Sequence, residues 1–254
     1  PHLTKHEQAG KIIVYIWRSL DLLFDNLDNK KEIKFVDNLV YLKASTFVQE
    51  NCPESLTLKK ETIFDLEKIV SDQTVIASST SSFLPSELQK DCIKPERVIV
   101  GHPINPPHLI PIVEIVLGKA QSQEIANRAK SLYTSLHRVP VQIKKEVRGH
   151  LANRLTSALY REAVYLISEG VADVADMDAI MSNGPGLRLA LLGPHMNYHL
   201  GGGEGGYRHY LEHLGPSQEE RWRTLGQTPL TPEIKENLIQ GIEKQKISIS
   251  ELKA

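Results

Sequence analysis

The feature that most constrains this chain is a change of hydrophobic period near its middle. Short apolar runs rich in β-branched residues, Thr74 to Ala77, Arg97 to Val100 and Val139 to Ile143, read as strands, and all of them lie before residue 147. Between them, Leu56 to Val70 and Gln121 to Leu136 carry apolar residues at helical spacing. Alternating helix and strand predicts a parallel α/β sheet, and such sheets take ligands at strand ends. From Leu151 onward the pattern is helical: Leu151, Leu155, Ala158, Leu159, Ala163, Leu166 and Ile167 share one face, with Gly170 as a stop. The last clear helix starts at Thr231-Pro232, an N-cap followed by a first-turn proline, and runs to about Lys246. The expected organisation is a sheet domain over 1–147 and an all-α domain over 148–254.

Charge and cysteine usage narrow the partners. With 30 Lys+Arg against 31 Asp+Glu, nothing marks the chain as a binder of nucleic acid or of an anionic membrane surface. Cys52 and Cys92 form neither a CxxC pair nor a disulfide framework, which fits a reducing, cytoplasmic setting. No apolar run is long enough to span a bilayer, since the stretch Ile12 to Trp17 ends in Arg18. A small molecule and a second copy of the chain are therefore the expected partners.

The chemistry-bearing residues cluster after the predicted strands. Ser78-Ser79-Thr80-Ser81-Ser82 follows one of them, as an ordinary hydroxyl-rich turn or as ligand contacts. The next strand delivers Gly101-His102-Pro103-Ile104-Asn105-Pro106-Pro107, with a histidine at the matching edge. Within the apolar run Ile110 to Val116 stands one carboxylate, Glu114, which is costly to bury unless paired. His102 is its natural partner: the two form either a structural pair or a general base whose tautomer the carboxylate fixes.

Taken together, Thr80-Ser81-Ser82, His102 to Pro107, Glu114 and the Asn153-Arg154-Leu155 helix opening are similar in order and spacing to the 3-hydroxyacyl-CoA dehydrogenases. The spelling from His102 through Pro111 resembles the branch of that family that includes lambda-crystallin and the L-gulonate and carnitine dehydrogenases. This resemblance implies an NAD-dependent oxidation of the 3-hydroxyl of a small L-3-hydroxy acid, gulonate-, carnitine- or hydroxybutyrate-like, in a homodimer. It implies that His102 takes the hydroxyl proton, that Glu114 orients His102, and that Ser81 and Asn153 hydrogen-bond the reacting oxygen. Asn153 also reads as a helix cap. Phe47 to Glu54 resembles the family's segment beside the nicotinamide, which assigns Glu54, Lys59, Ser81 and Asn105 to the cofactor side, with Lys60 as a substitute for Lys59. Arg188, in Gly184-Pro185-Gly186-Leu187-Arg188, either clamps a substrate carboxylate or is a solvated cation.

Two departures bear on these expectations. No strand with G-x-G-x-x-G and a following acidic residue precedes Phe47, so the Rossmann-like sheet is expected to lack its first βαβ unit, with Lys11 to Asn26 as the helix that follows it. A non-catalytic, crystallin-like relative or an inactive fragment unable to bind NAD is the corresponding alternative. Arg148-Gly149-His150 stands where the family pattern has Pro-Gly-Phe.

Three formal motifs are set aside. Gly201 to Gly206 satisfies G-x-G-x-x-G but follows no strand, and is expected to be a flexible loop. His209-Tyr210-Leu211-Glu212-His213 matches an inverted zinc-protease motif, yet neither it nor the spaced pair His195 and His199 has a further ligand set, so no metal is expected. A Ser81-His102-Glu114 hydrolase triad lacks the G-x-S-x-G elbow around its serine.

Overall fold

The computed structural model describes residues 36–247, so the expected helix from Lys11 to Asn26 lies outside the described residues. The chain divides into two compact units, Pro1–Leu155 and Thr156–Ala254.

In the first unit the elements run β1 (Phe47–Glu50), α1 (Leu56–Ile69), β2 (Val75–Ser78), α2 (Pro85–Gln89), β3 (Val98–Pro103), β4 (Ile112–Val116), α3 (Gln123–Ser135) and β5 (Val139–Ile143). The five strands form one sheet in the order of the sequence. Three pairings are parallel, and β3 with β4 is antiparallel. The expected strands and helices of this region are present, and β1 and β4 join them. Side chains alternate across the pleat. Ile76, Val98, Val100 and Val116 enter one apolar cluster with Ile63 and Leu66 of α1. Val75, Ala77, Ile99, Val113 and Ile115 enter the other, against Ile125, Ala129 and Tyr133 of α3. Both helices are capped by serine: Ser55 accepts from the Leu58 N–H and Ser122 from the Ile125 N–H. Gly101 is required by close approach, because a Cβ there would lie 2.1 Å from the Tyr133 hydroxyl and 3.2 Å from the Ala77 methyl.

The helices α4 (Ala152–Ser168), α5 (Val174–Asn183), α6 (Pro185–Leu191), α7 (Pro194–Gly201), α8 (Gly206–Thr224) and α9 (Pro232–Lys244) make up the rest. Thr231 caps α9, its hydroxyl accepting from the Ile234 N–H, as its place before Pro232 predicts. Gly170, just past the end of α4, has φ +69°, the left-handed conformation of a helix stop. Where a flexible loop is expected at Gly201 to Gly206, the structure has a helix-to-helix junction. Gly201 ends α7, Gly203–Gly205 make one 3-10 turn, and Gly206 opens α8. Gly203 and Gly206 both have φ +60°, and a Cβ on Gly206 would lie 2.6 Å from the His199 ring, so glycine is what lets the two helices turn so tightly. His209 and His213 lie on α8 with their rings 4.1 Å apart. Among the described residues, no group of three or more His, Cys, Asp or Glu side chains could hold a metal ion, and no helix is long and apolar enough to cross a membrane.

Candidate active site

The antiparallel pairing of β3 with β4 places His102 directly opposite Glu114. His102 Nδ1 lies 2.9 Å from Glu114 Oε2, and both residues are buried. The other Glu114 oxygen accepts from the backbone N–H groups of Leu151 and Ala152 at 2.8 and 2.9 Å, so the carboxylate also caps the start of α4. Burial opposes its charge, but the hydrogen bonds from His102 and these two amides outweigh it and hold the carboxyl below its usual range. A carboxylate fixed on Nδ1 leaves Nε2 as the nitrogen free to take a proton. Asn153 is the second residue of α4, half-buried, and is not the cap it could have been, because Glu114 serves that end.

A second cluster sits at the C-terminal ends of β1 and β2, beside β3. Glu54 binds the hydroxyl-rich turn: its Oε1 accepts from the Thr80 hydroxyl at 2.5 Å, the Ser81 N–H at 3.1 Å and the Ser82 N–H at 2.9 Å. Partial burial opposes the Glu54 charge, while the Thr80 bond, the Lys59 ammonium and the Ser82 amide lower its pKa on balance. Lys59 is 1% exposed; its Nζ lies 3.1 Å from Glu50, 3.6 Å from Glu54 and 3.0 Å from the Cys52 carbonyl, which places it behind Glu54. Lys60, the expected substitute, is engaged elsewhere, 2.8 Å from Asp91 on the surface. Asn105 is exposed on the loop after β3, and Arg188 is exposed on α6 in the helical unit. Ser81 is half-buried, and among the described residues no hydrogen bond joins it to His102, which removes the geometric basis for a hydrolase triad. Burial raises the Cys52 and Cys92 thiols to about 11 and about 12, so neither is a thiolate nucleophile near neutrality.

Several supporting residues escaped the sequence reading. Gln49 donates to the Ser79 hydroxyl at 2.7 Å and the Gly101 carbonyl at 2.8 Å while accepting from the Tyr133 hydroxyl, and so ties together the ends of the first three strands. Glu50 accepts from Ser78 and Lys59 within the core. In the structure the four residues of Phe47 to Glu50 alternate between half-buried and buried, but two apolar residues followed by two polar ones show no period of two in the sequence.

Comparison with known proteins bears on the arrangement. Residues 25–147 match the family described as 3-hydroxyacyl-CoA dehydrogenase, NAD binding domain, and residues 149–237 match the 3-hydroxyacyl-CoA dehydrogenase C-terminal domain. The chain belongs to the 3-hydroxyacyl-CoA dehydrogenase family. An L-carnitine dehydrogenase of Oceanobacillus iheyensis is 40% identical over 239 residues, 93% of this chain and 78% of that protein. An L-carnitine dehydrogenase of Bacillus cereus is 45% identical over 198 residues, 78% of this chain and 61% of that protein. The chain thus spans from three fifths to four fifths of the length of these two relatives. Among solved structures, FHMPC 5-dehydrogenase, an NAD+ dependent dismutase, superimposes with a TM-score of 0.74 at 27% identity, covering 95% of this chain and 75% of that one. The (S)-3-hydroxybutyryl-CoA dehydrogenase of Ralstonia eutropha gives 0.57 at 25% identity, covering 68% and 64%. The family is one of NAD-dependent oxidoreductases, and NAD is its cofactor.

Proposed function

We propose that this chain oxidises the 3-hydroxyl of a small L-3-hydroxy acid, with carnitine, gulonate and 3-hydroxybutyrate as the substrates to try first. The observation that carries the reading is the buried His102–Glu114 pair, 2.9 Å apart at the end of a strand, with the second carboxylate oxygen held by two backbone amides. A base fixed on both sides in this way is pre-oriented for one proton transfer. The names of the two relatives described above favour carnitine within the class.

NAD, when bound, supplies the acceptor for the hydride that leaves carbon 3. The ends of β1, β2 and β3, where open α/β sheets take nucleotides, present Glu54, the Thr80 to Ser82 turn and Gly101 to Pro103, a polar rim that fits the nicotinamide end of such a cofactor. Glu54, Ser81 and Asn105 would contact it there, with Lys59 holding Glu54. His102 Nε2 takes the proton of the 3-hydroxyl as the C–H bond breaks, and Glu114 stabilises the imidazolium that results. Ser81 and Asn153 hydrogen-bond the reacting oxygen, and Arg188 pairs with the substrate carboxylate. We assign self-association to the helical unit, whose apolar side chains Leu187, Leu191 and Leu200 are exposed.

Steady-state NADH production with the three acids tests this. Turnover with at least one of them is expected, falling by about 10²–10⁴-fold in His102→Ala. No NADH from any of the three at saturating NAD, or an undiminished His102→Ala variant, would overturn the reading.

A further inference from the structure

The departure from the family pattern at residue 150 lies inside the site. His150 is fully buried, with φ +50°, in the turn that opens α4. Its Nε2 lies 3.0 Å from the Thr80 carbonyl oxygen, and its ring centroid lies 5.2 Å from that of His102. A carbonyl can only accept, so Nε2 carries a proton in this bond. Nδ1 is buried without a hydrogen-bond partner among the described residues, which leaves a second ring proton with no acceptor.

The carbonyl that His150 holds belongs to the peptide linking Thr80 to Ser81, and the N–H of that same peptide donates to Glu54 at 3.1 Å. One peptide group is therefore gripped at both ends, by an imidazole from the α4 turn and a carboxylate from the segment after β1. That peptide sets the direction in which the Ser81 side chain leaves the backbone. A phenylalanine at 150 would fill comparable space but could not donate.

We propose that His150 is a positioning residue. It orients the Thr80–Ser81 peptide, and with it the Ser81 hydroxyl, and it backs the His102 ring as a neutral imidazole, so that the proton taken from substrate resides on His102 alone. This rests on the dehydrogenase reading for the role of Ser81 and His102, but the tautomer does not. The ionisable groups facing His150 are His102 on β3, Glu114 on β4 and Glu54 after β1. Burial disfavours its cationic form most; the Thr80 bond and the two carboxylates oppose that, the His102 charge adds to it, and the balance lowers the pKa of His150.

The experiment pairs kinetics with nitrogen NMR of the histidine-labelled full chain. His150→Phe is expected to lower kcat on the order of tenfold. His150→Gln keeps an amide N–H for the Thr80 carbonyl and should recover most of the loss. Wild-type kcat in the Phe variant, or a Gln variant as slow as Phe, would overturn the proposal. The imidazole nitrogens of His150 should report Nε2–H and a bare Nδ1 at and below about pH 6.5, where an ordinary histidine is half protonated; the opposite tautomer or a doubly protonated ring there overturns it even if turnover changes. A wild-type chain that makes no NADH refutes the dehydrogenase reading, and the nitrogen spectrum still decides how His150 is held.

Discussion

The two units bury different things. In the α/β unit the sheet is covered by an apolar cluster on each face, and yet Glu50, Lys59, Glu67, Arg97, His102, Glu114 and His150 are buried as well, paired or hydrogen-bonded. Among the described residues of the helical unit, Val164, Val174 and Tyr210 are the buried apolar side chains, while Leu159, Leu191 and Trp222 stand in the open, Leu191 at 84% exposure. A sheet with helices packed against it closes its own core, so it can enclose polar groups whose partners come from neighbouring strands. Helices that present apolar stripes outward must find another surface to cover them. The proposed base lies in the unit that closes its own core, where packed neighbours can orient it.

This contrast can be broken by mutation. The largest loss of stability should come from Lys59→Met, which leaves Glu50 buried without its cation: unfolding in urea should show a cost of about 3–5 kcal/mol. Next comes the core itself. Ile99→Ala should cost about 2–5 kcal/mol, whereas Ile239→Ala, at a half-exposed site on α9, should stay within about 0.5 kcal/mol; equal costs would erase the difference between the units. For the helical unit the informative readout is mass. Light scattering should find more than one chain in the native particle, and Asp at Leu187, Leu191 and Leu200 together should reduce the mass while leaving the fold intact; a native monomer would remove the role assigned to these faces.

The smallest effect concerns acid. The folded pKa of Glu114 lies below the ordinary carboxyl value of 4.5, so its contribution to stability is complete above that pH and is lost as pH falls through the folded value. Unfolding free energy should therefore decline below about pH 4.5 more steeply in wild type than in Glu114→Gln. Parallel slopes would mean that the His102 and backbone hydrogen bonds do not favour the charged carboxylate.

Much of the fold was legible locally. β2, β3 and β5 announced themselves by β-branched runs, α1, α3 and α4 by their period, and α9 by the Thr231-Pro232 cap at its start. β4 was obscured because Glu114 interrupts its apolar run, and α5 to α7 because Pro and Gly, read as turn signals, occupy helix starts and stops here. The grip of Glu54 on the Thr80 to Ser82 turn, and of Gln49 on three strand ends, had no signal in spacing: each joins residues that only the sheet brings together.

The His102–Glu114 pair shows where the division falls. Residue types and alternation determined that a lone carboxylate in an apolar run needed a partner and that a histidine stood at a strand edge. The antiparallel run of β4 against β3 decided that they meet, in a sheet otherwise parallel, by setting His102 opposite Glu114 and bringing the first amides of α4 to the same carboxylate. Side-chain chemistry is a property of each residue, and alternation of a few neighbours. Strand direction and register depend on how well whole faces pack against α1 and α3, a free energy summed over residues far apart in the chain.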